Sequence, residues 1–474
     1  MDFEPVIGLE VHAQLRTATK IFCGCSAVFG AKANRQTCPV CLGLPGALPV
    51  LNKTAVEFAL RMILASGATV NPVSLFARKN YFYPDLPKGY QVSQFERPVG
   101  RGGYIRYRQG GEERRLRLLR IHLEEDAGKL IHGEGRSLVD INRCGVPLIE
   151  IVSYPDLTTP EDAGACLTAL RQLVRYLGIC DGNMEEGSLR CDANVSVRPR
   201  GQEELGTKTE VKNMNSFKAV ERALRFEIDR QVNLLTSGRS VEMQTLLWDE
   251  TTGKAQPMRG KEESLDYRYF PEPDLVPLRV DEAWLERVRS SMRELPSARR
   301  ERFEREFGLP EYDAGVLTVD RDLADYFEAV ATACGSPKMA SNWVMGEVLR
   351  YTRERQIEIT AFPVSAEDLA GLLVEIRDGR VSGSAAKEVL ARMVEQGGTP
   401  GDAIAALGLT QLSDMTELEG VVDHVLKREA EQVEAYRSGK TKVFAYLVGQ
   451  VMKETRGKAN PGIVNQLLRD KLGS

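Results

Sequence analysis

Carboxylates and an imidazole recur in this chain within short runs that otherwise read as apolar strands, a pattern suited to holding a cation beside phosphates. In Ile7-Gly8-Leu9-Glu10-Val11-His12, the residues Ile7, Leu9 and Val11 fall on one side of a period-two strand and Glu10 and His12 on the other. Two residues span about 6.6 Å of strand, near enough for both side chains to approach one ion. The run 116–131 contains Glu124-Glu125-Asp126, and strand phase puts Glu125 with Leu119, Ile121 and Leu123, where an apolar side chain is expected. Leu148-Ile149-Glu150-Ile151-Val152 embeds one acid in an apolar strand. The run 189–195 sets Arg190, Asp192 and Asn194 against Leu189, Cys191, Ala193 and Val195, and 207–212 repeats the arrangement with Lys208, Glu210 and Lys212.

Alternating polar residues also wet the outer face of an ordinary antiparallel sheet. Glu125 and Glu150 resist that reading, because a lone carboxylate among apolar residues costs several kcal/mol unless it is paired or bound to metal. Oxygen donors with one imidazole suit Mg²⁺ or Mn²⁺ rather than zinc, and Mg²⁺ completes its shell with water and phosphate oxygens. The lysines and Arg190 on the same faces are placed to hold phosphates.

A second group is built from thiols. Cys23-x-Cys25 and Cys38-x-x-Cys41 supply two close pairs on separate turns, the spacing of a tetrahedral structural zinc site, which is favoured here over disulfides or unpaired thiols, and define a module at 23–41. Cys144, Cys166, Cys180, Cys191 and Cys334 are scattered and expected to be packed, reduced thiols, which fits a reducing cytoplasm.

These groups need a scaffold to position them. Of 474 residues, 63 are basic and 67 acidic, so the net charge of -4 argues for no particular partner, and the length suggests two to four domains. Glu4 and Glu10 interrupt any signal peptide, and no apolar run approaches the roughly 18 residues that span a bilayer, so a soluble protein is expected. Up to about residue 290, strand-like alternation and Gly/Pro turns are broken by helical stretches at 54–65, 160–177 and 217–235, which predicts an α+β domain with a largely antiparallel sheet. Two tyrosine–proline loops, 80–90 and 266–275, resemble each other and are expected either to line a cleft or to be turns anchored by core aromatics.

After Pro296 the period becomes 3.6. Leu323, Phe327, Val330 and Cys334 form a stripe stopped by Gly335 and Pro337, and Ser365 with Asp368 reads as a capping box before Leu369, Leu372, Leu373 and Ile376. Gly397-Gly398-Thr399-Pro400 reads as a linker, and Phe444, Leu447, Val448 and Val451 as a later stripe, followed by a restart at Asn460-Pro461. The expected partition is a catalytic domain at 1–293, a helical domain at 294–398 and a helical tail at 399–474. Residues 97–120 carry eight basic against two acidic residues, as do residues 436–474, and each stretch suits a phosphate backbone or a solvated face. In the tail the candidates are Lys440, Lys442, Lys453, Arg456 and Lys458.

No Walker motif occurs, since Gly439-Lys440-Thr441 is preceded by Glu434 where the first glycine belongs, and Gly100 to Gly103 form no dinucleotide fingerprint. Neither a glycine-flanked nucleophilic serine nor a Cys–His glutaminase pair is evident, so any ammonia used here must come from another polypeptide.

The runs Val6 to His12, Cys38 to Gly46, Arg78 to Tyr90, His122 to Lys129, Gly182 to Arg190 and Lys212 to Phe217 resemble the B-subunit family of the aspartyl/glutamyl-tRNA amidotransferases, and Gly449 to Leu472 resembles that family's tail. One departure is Val276 in Asp274-Leu275-Val276-Pro277, where the family pattern has proline. The resemblance implies a cradle domain with a glutamine-synthetase-like sheet, then a helical domain and a tRNA-gripping tail. It implies an amidase-type glutaminase as the A-subunit, a small C-subunit, a misacylated tRNA substrate and, as a further candidate partner, the non-discriminating aminoacyl-tRNA synthetase. The implied reaction converts Glu-tRNA(Gln) to Gln-tRNA(Gln), or Asp-tRNA(Asn) to Asn-tRNA(Asn), with ATP and glutamine. On this expectation Mg²⁺ lies on Glu10, His12, Glu125 and Glu150, a second metal on Asp192 and Glu210, and Lys79, Lys88, Arg190 and Lys212 neutralise the transferred phosphoryl group. A non-catalytic, zinc-containing tRNA-binding protein of the same complex is the alternative; it explains the tail and the cysteines but not the acidic strands. A zinc peptidase is disfavoured, because four thiolates leave no open coordination position.

Overall fold

Strands β1 (Phe3–Gln14), β2 (Glu112–Glu125), β3 (Pro147–Ser153), β4 (Leu189–Pro199) and β5 (Thr209–Lys212) are five consecutive neighbours in one ten-stranded sheet, in the spatial order β5-β4-β1-β3-β2. Each of these pairings is antiparallel, and outside them Thr245–Asp249 runs parallel to β5. The computed structural model describes residues 2–133, 135–258, 267–409, 415–455, 459 and 461–473. Asp266, Arg456 and Lys458, singled out in the sequence, lie outside these described residues.

The register explains why the polar side chains share a face. His12 stands opposite Glu150 on one side and Arg190 on the other, Glu10 stands opposite Asp192, Glu150 opposite His122, and Asn194 opposite Glu210. Directly opposed residues in antiparallel strands point the same way. The other face is apolar: Ile7, Leu9, Val11, Ile121, Leu123, Ile149, Ile151, Ala193, Val195 and Val211 are all at most 3% exposed. Helices α1 (Lys53–Ala65), α2 (Pro160–Tyr176) and α3 (Phe217–Thr236) share one core with that face. Each begins at a side-chain cap, Asn52, Thr159 and Ser216 respectively, and each stays within about a residue of its expected limits.

Residues 1–296 form one compact unit and residues 297–474 a second. The second is helical, with two apolar cores, one running from Phe303 to Ile404 and the other from Leu418 to Leu472. In the first of these cores, helix Arg321–Cys334 buries Leu323, Phe327, Val330 and Cys334 and stops at Gly335, whose φ of 65° is left-handed. The expected linker at 397–400 is instead a helix start: Thr399 and Asp402 form a capping box for Pro400–Leu407, and Ala403 and Ile404 pack into the core of the residues before them. Ser365 accepts the Asp368 amide at 3.0 Å, which caps the helix Ala366–Arg377 by one bond. In the second core Leu447 and Val451 are buried from helix Val443–Glu454. Among the described residues, no helix is long and apolar enough to cross a membrane.

Candidate metal and phosphate site

At the centre of the polar face, His12, Glu124 and Glu150 each offer a ligand atom, all lying within 4.8 Å of one another. His12 Nε2 lies 3.3 Å from Glu124 Oε1 and 3.5 Å from Glu150 Oε2, and His122 Nε2 lies 3.0 Å from the same Glu150 oxygen. Burial works against the His12 imidazolium, but Glu124 and Glu150 hold its pKa up at about 10. Burial would likewise raise Glu150, yet His122 and His12 keep its carboxyl well below the usual range. One imidazole and two carboxylates fit a hard divalent cation that keeps places for water and phosphate oxygens. His122 turns its other nitrogen, Nδ1, into the protein with no hydrogen-bond partner.

Glu125 does not join this group, which corrects the expectation. Its strand phase is as anticipated, with Ile121 and Leu123, but that phase points it away from the face that His122 and Glu124 share. There it pairs with Lys88 and accepts the Val92 amide at 2.8 Å, in a cavity lined also by Phe22, Cys41 and Glu272. Pairing therefore offsets its burial, and Lys88 is drawn to Glu125 rather than to the donor group. The donor that replaces it is legible in the sequence: His122-Leu123-Glu124 repeats the polar-apolar-polar spacing of Glu10-Val11-His12.

Beside the donor group, Glu10, Asp192 and Glu210 crowd together. Burial raises the Glu10 carboxyl above its ordinary value, and the charges of Glu150, Glu210 and Asp192 raise it further. Lys212 Nζ sits 3.0 Å from both Asp192 and Glu210, and Asn194 donates to Glu10 at 2.9 Å. Beneath this patch, buried Glu227 of α3 accepts from Thr209 at 2.8 Å, tying β5 to the helix. Arg190 donates to buried Asp126 at 3.0 Å, and Asp126 also accepts from Gln14 at 2.7 Å.

Lys79 lies on the short strand Ala77–Asn80, which is paired on one side with Tyr90–Ser93 and on the other with Phe270–Pro271. The two tyrosine–proline loops thus meet around it. Its ammonium sits 4.6 Å from the Tyr267 ring centre and 5.8 Å from that of Tyr81, while Tyr269 stacks on Phe95 at 4.3 Å. Burial lowers the Lys79 pKa, but Tyr269, Glu124, Tyr267 and Glu150 together leave it raised. The second loop is clamped by buried Glu272, which receives two Arg78 hydrogen bonds of 2.8 Å each. Leu86 is buried and Tyr90 and Leu275 pack against the core, while Phe82 is 86% exposed, so both loops are anchored in the core and the first also presents an aromatic ring to solvent.

The four sulfurs of Cys23, Cys25, Cys38 and Cys41 also fall within 4.8 Å of one another. Contact with the Cys23 thiol, helped by the Cys38 backbone and Lys20, lowers Cys41 to about 4, while burial raises Cys25 to about 11. Such a donor set fits a closed tetrahedral thiolate centre. Lys20 is fully buried next to it, donating to Gln36 O at 2.7 Å and Ile141 O at 3.3 Å. Among the tail candidates, Lys440 and Lys442 are exposed just before helix Val443–Glu454 and Lys453 is exposed in its last turn. Eleven residues of helix put Lys442 and Lys453 about 16 Å apart, so they form two separate charges rather than one patch.

Residues 5–286 match the family described as the GatB/GatE catalytic domain, and residues 325–472 match the GatB domain. The chain is 55% identical over 473 residues to the B-subunit of the aspartyl/glutamyl-tRNA(Asn/Gln) amidotransferase from Chlorobium phaeobacteroides (strain BS1), covering the whole of both proteins. It is 54% identical to the protein of that name from Moorella thermoacetica, again over the whole of both, and 52% identical to that of Solidesulfovibrio magneticus over 99% of each. Matches of this length and identity settle the lineage: the chain belongs to the B-subunit family of the aspartyl/glutamyl-tRNA(Asn/Gln) amidotransferases.

Proposed function

We propose that this chain carries the amide-forming site of a glutamine-dependent tRNA amidotransferase, using ATP to activate the side-chain carboxylate of Glu-tRNA(Gln) or Asp-tRNA(Asn). The observation that carries the reading is the convergence of His12, Glu124 and Glu150 from three neighbouring strands, with Arg190, Lys79 and Lys212 around them. A carboxylate is a poor acyl donor. Its oxygen attacks the γ-phosphorus of ATP, ADP leaves, and ammonia then adds to the acyl carbon as phosphate departs with the C–O bond broken.

His12, Glu124 and Glu150 are the residues to hold Mg²⁺, and Glu10, Asp192 and Glu210 those to hold a second, nucleotide-dependent ion. When bound, the metals screen like charges on phosphate and carboxylate. Arg190, fixed by Asp126, and Lys79, fixed by its tyrosines, present cations whose positions do not have to reorganise during reaction. Lys212 sits between Asp192 and Glu210 and neutralises them when no cation is bound there. Lys88 is assigned instead to the pair with Glu125.

In this reading the first unit is a cradle with a glutamine-synthetase-like sheet, the cysteine module is a structural Zn²⁺ site, and Lys440, Lys442 and Lys453 of the tail meet the tRNA backbone. Arg456 and Lys458 are further candidates for tRNA contact. Partners are the glutaminase A-subunit, the small C-subunit, the misacylated tRNA and the non-discriminating synthetase, in the cytoplasm. The test is ATP turnover by the assembled complex. Hydrolysis that requires a divalent cation and rises on adding misacylated tRNA is expected; turnover indifferent to both would remove the proposal.

A further inference from the structure

Glu227 is a fully buried carboxylate on the core side of α3, and no step of the proposed chemistry uses it. A buried carboxylate is costly unless it is paired, and an apolar residue would fill the same space without that cost. Its partners are Arg230, which donates from Nε and Nη2 at 2.7 Å each, and the Thr209 hydroxyl, which donates at 2.8 Å. Gln231, also fully buried, directs its Nε2 at Glu227 and at Thr209 Oγ1, each 2.9 Å away, and at the Val195 carbonyl at 3.1 Å. Its own side-chain oxygen has no partner, so this amide serves as a donor alone.

The residues held in this way are a cross-strand pair. Val195 of β4 stands opposite Thr209 of β5, and one residue along each strand Asn194 stands opposite Glu210. Neighbours on a strand point to opposite sides, so the network lies on the core side of the sheet, directly behind acids on the polar side. There Asn194 donates to Glu10 at 2.9 Å, and Lys212 joins Glu210 to Asp192. The whole acidic group therefore depends on where β5 sits.

β5 has little of its own to fix that position. It is four residues long, pairs with β4 at three of them, and has Val211 as its one buried apolar side chain. Register is set largely by apolar pattern, and a two-residue slip, which leaves every side chain on its own face, would carry Glu210 about 6.6 Å along the sheet. Such a slip would set Val211 opposite Val195 and leave Glu227 and Gln231 facing a side chain with no hydroxyl, so the bonds from α3 select one register. We propose that Glu227, with Arg230 and Gln231, is a positioning residue for the second, nucleotide-dependent ion: it fixes β5 from the core side so that Glu210 and Lys212 meet Asp192 and Glu10. This role rests on the function given above.

The experiment uses the assembled complex with wild-type chain, Thr209→Val, which keeps the shape but not the hydroxyl, and Thr209→Ser, which keeps the hydroxyl but not the methyl group. Electron paramagnetic resonance titration measures Mn²⁺ binding with and without a non-hydrolysable ATP analogue, and steady-state kinetics give KM for ATP and for glutamine. The first ion, on His12, Glu124 and Glu150, is expected to bind alike in all three. Thr209→Val is expected to weaken the second ion by about tenfold or more and to raise KM for ATP with KM for glutamine unchanged, while Thr209→Ser stays near wild type. Wild-type binding of the second ion by Thr209→Val, or a greater loss in Thr209→Ser, overturns the proposal, because either result means that packing rather than the hydrogen bond matters. Should Thr209→Val fail to assemble, Gln231→Met decides in the same assay, since it removes the donor to Thr209 and Val195 at nearly the same side-chain length. A wild-type complex that takes up no second ion with nucleotide removes the second-ion reading and this role with it, a result distinct from wild-type behaviour of the variants.

Discussion

Two adjacent glutamates, Glu124 and Glu125, are equally buried at 3% and 2% and have unrelated roles. Glu124 faces His12 and Glu125 faces Lys88, because neighbouring residues of a strand point to opposite sides. Glu124→Gln should therefore weaken Mn²⁺ binding by roughly 10–100-fold or more, while Glu125→Gln leaves it near wild type, as read by electron paramagnetic resonance titration. Equal losses in both would contradict the side assignment. The raised His12 pKa makes a second prediction. A folded-state value of about 10 against 6.5 unfolded means the imidazole keeps its proton at neutral pH, and its ion pairs stabilise the metal-free fold until pH rises through about 10. A cation must displace that proton, so metal binding near pH 7.5 should release about one proton and strengthen as pH rises. Calorimetry in buffers of different ionisation enthalpy measures this; zero proton release would place the ion away from His12.

Strands and helices are legible in the sequence because apolar periodicity is a local property. The stripes at Leu323 and Leu447 and the three long helices of the first unit need only residues within one element. Pairing is not legible, since the order β5-β4-β1-β3-β2 joins residues almost two hundred positions apart, as in the Glu10–Asp192 pair. Glu125 shows the cost of this gap: its phase can be read locally, but which face receives the other ligands depends on partners that phase cannot name. At 397–400 the Gly397-Gly398 pair suggests a linker and masks the Thr–Asp pair that starts a helix. The cysteine module is an element in which two separate turns converge on four sulfurs. Cys38→Ser should lower zinc retention, detected by chelator-release assay, and lower the melting temperature, since structural thiolate sites contribute folding energy. Full zinc content in the variant would exclude Cys38 as a ligand.

At the scale of the molecule, the first unit holds every proposed reacting group and the second offers exposed lysines on helical scaffolding. Removing residues after Leu409 spares Ala403 and Ile404, which belong to the preceding core. That truncation should weaken tRNA binding and reduce the slope of log affinity against log salt by roughly 4, the loss expected for about five phosphate contacts. An unchanged slope would put the tRNA contacts elsewhere. The central claim, that the His12–Glu124–Glu150 face activates the tRNA-linked carboxylate, is tested most directly by Glu150→Gln in the assembled complex. The amide has the shape of the carboxylate and can still accept from His122, but it gives up the charge pairing with His12 and His122, so a folded complex with a lowered melting temperature is expected. Amide formation on misacylated tRNA should fall by at least about a hundredfold, equivalent to roughly 2.7 kcal/mol of transition-state stabilisation, while glutamine hydrolysis by the partner continues. A folded Glu150→Gln complex that forms amide at the wild-type rate would contradict the account.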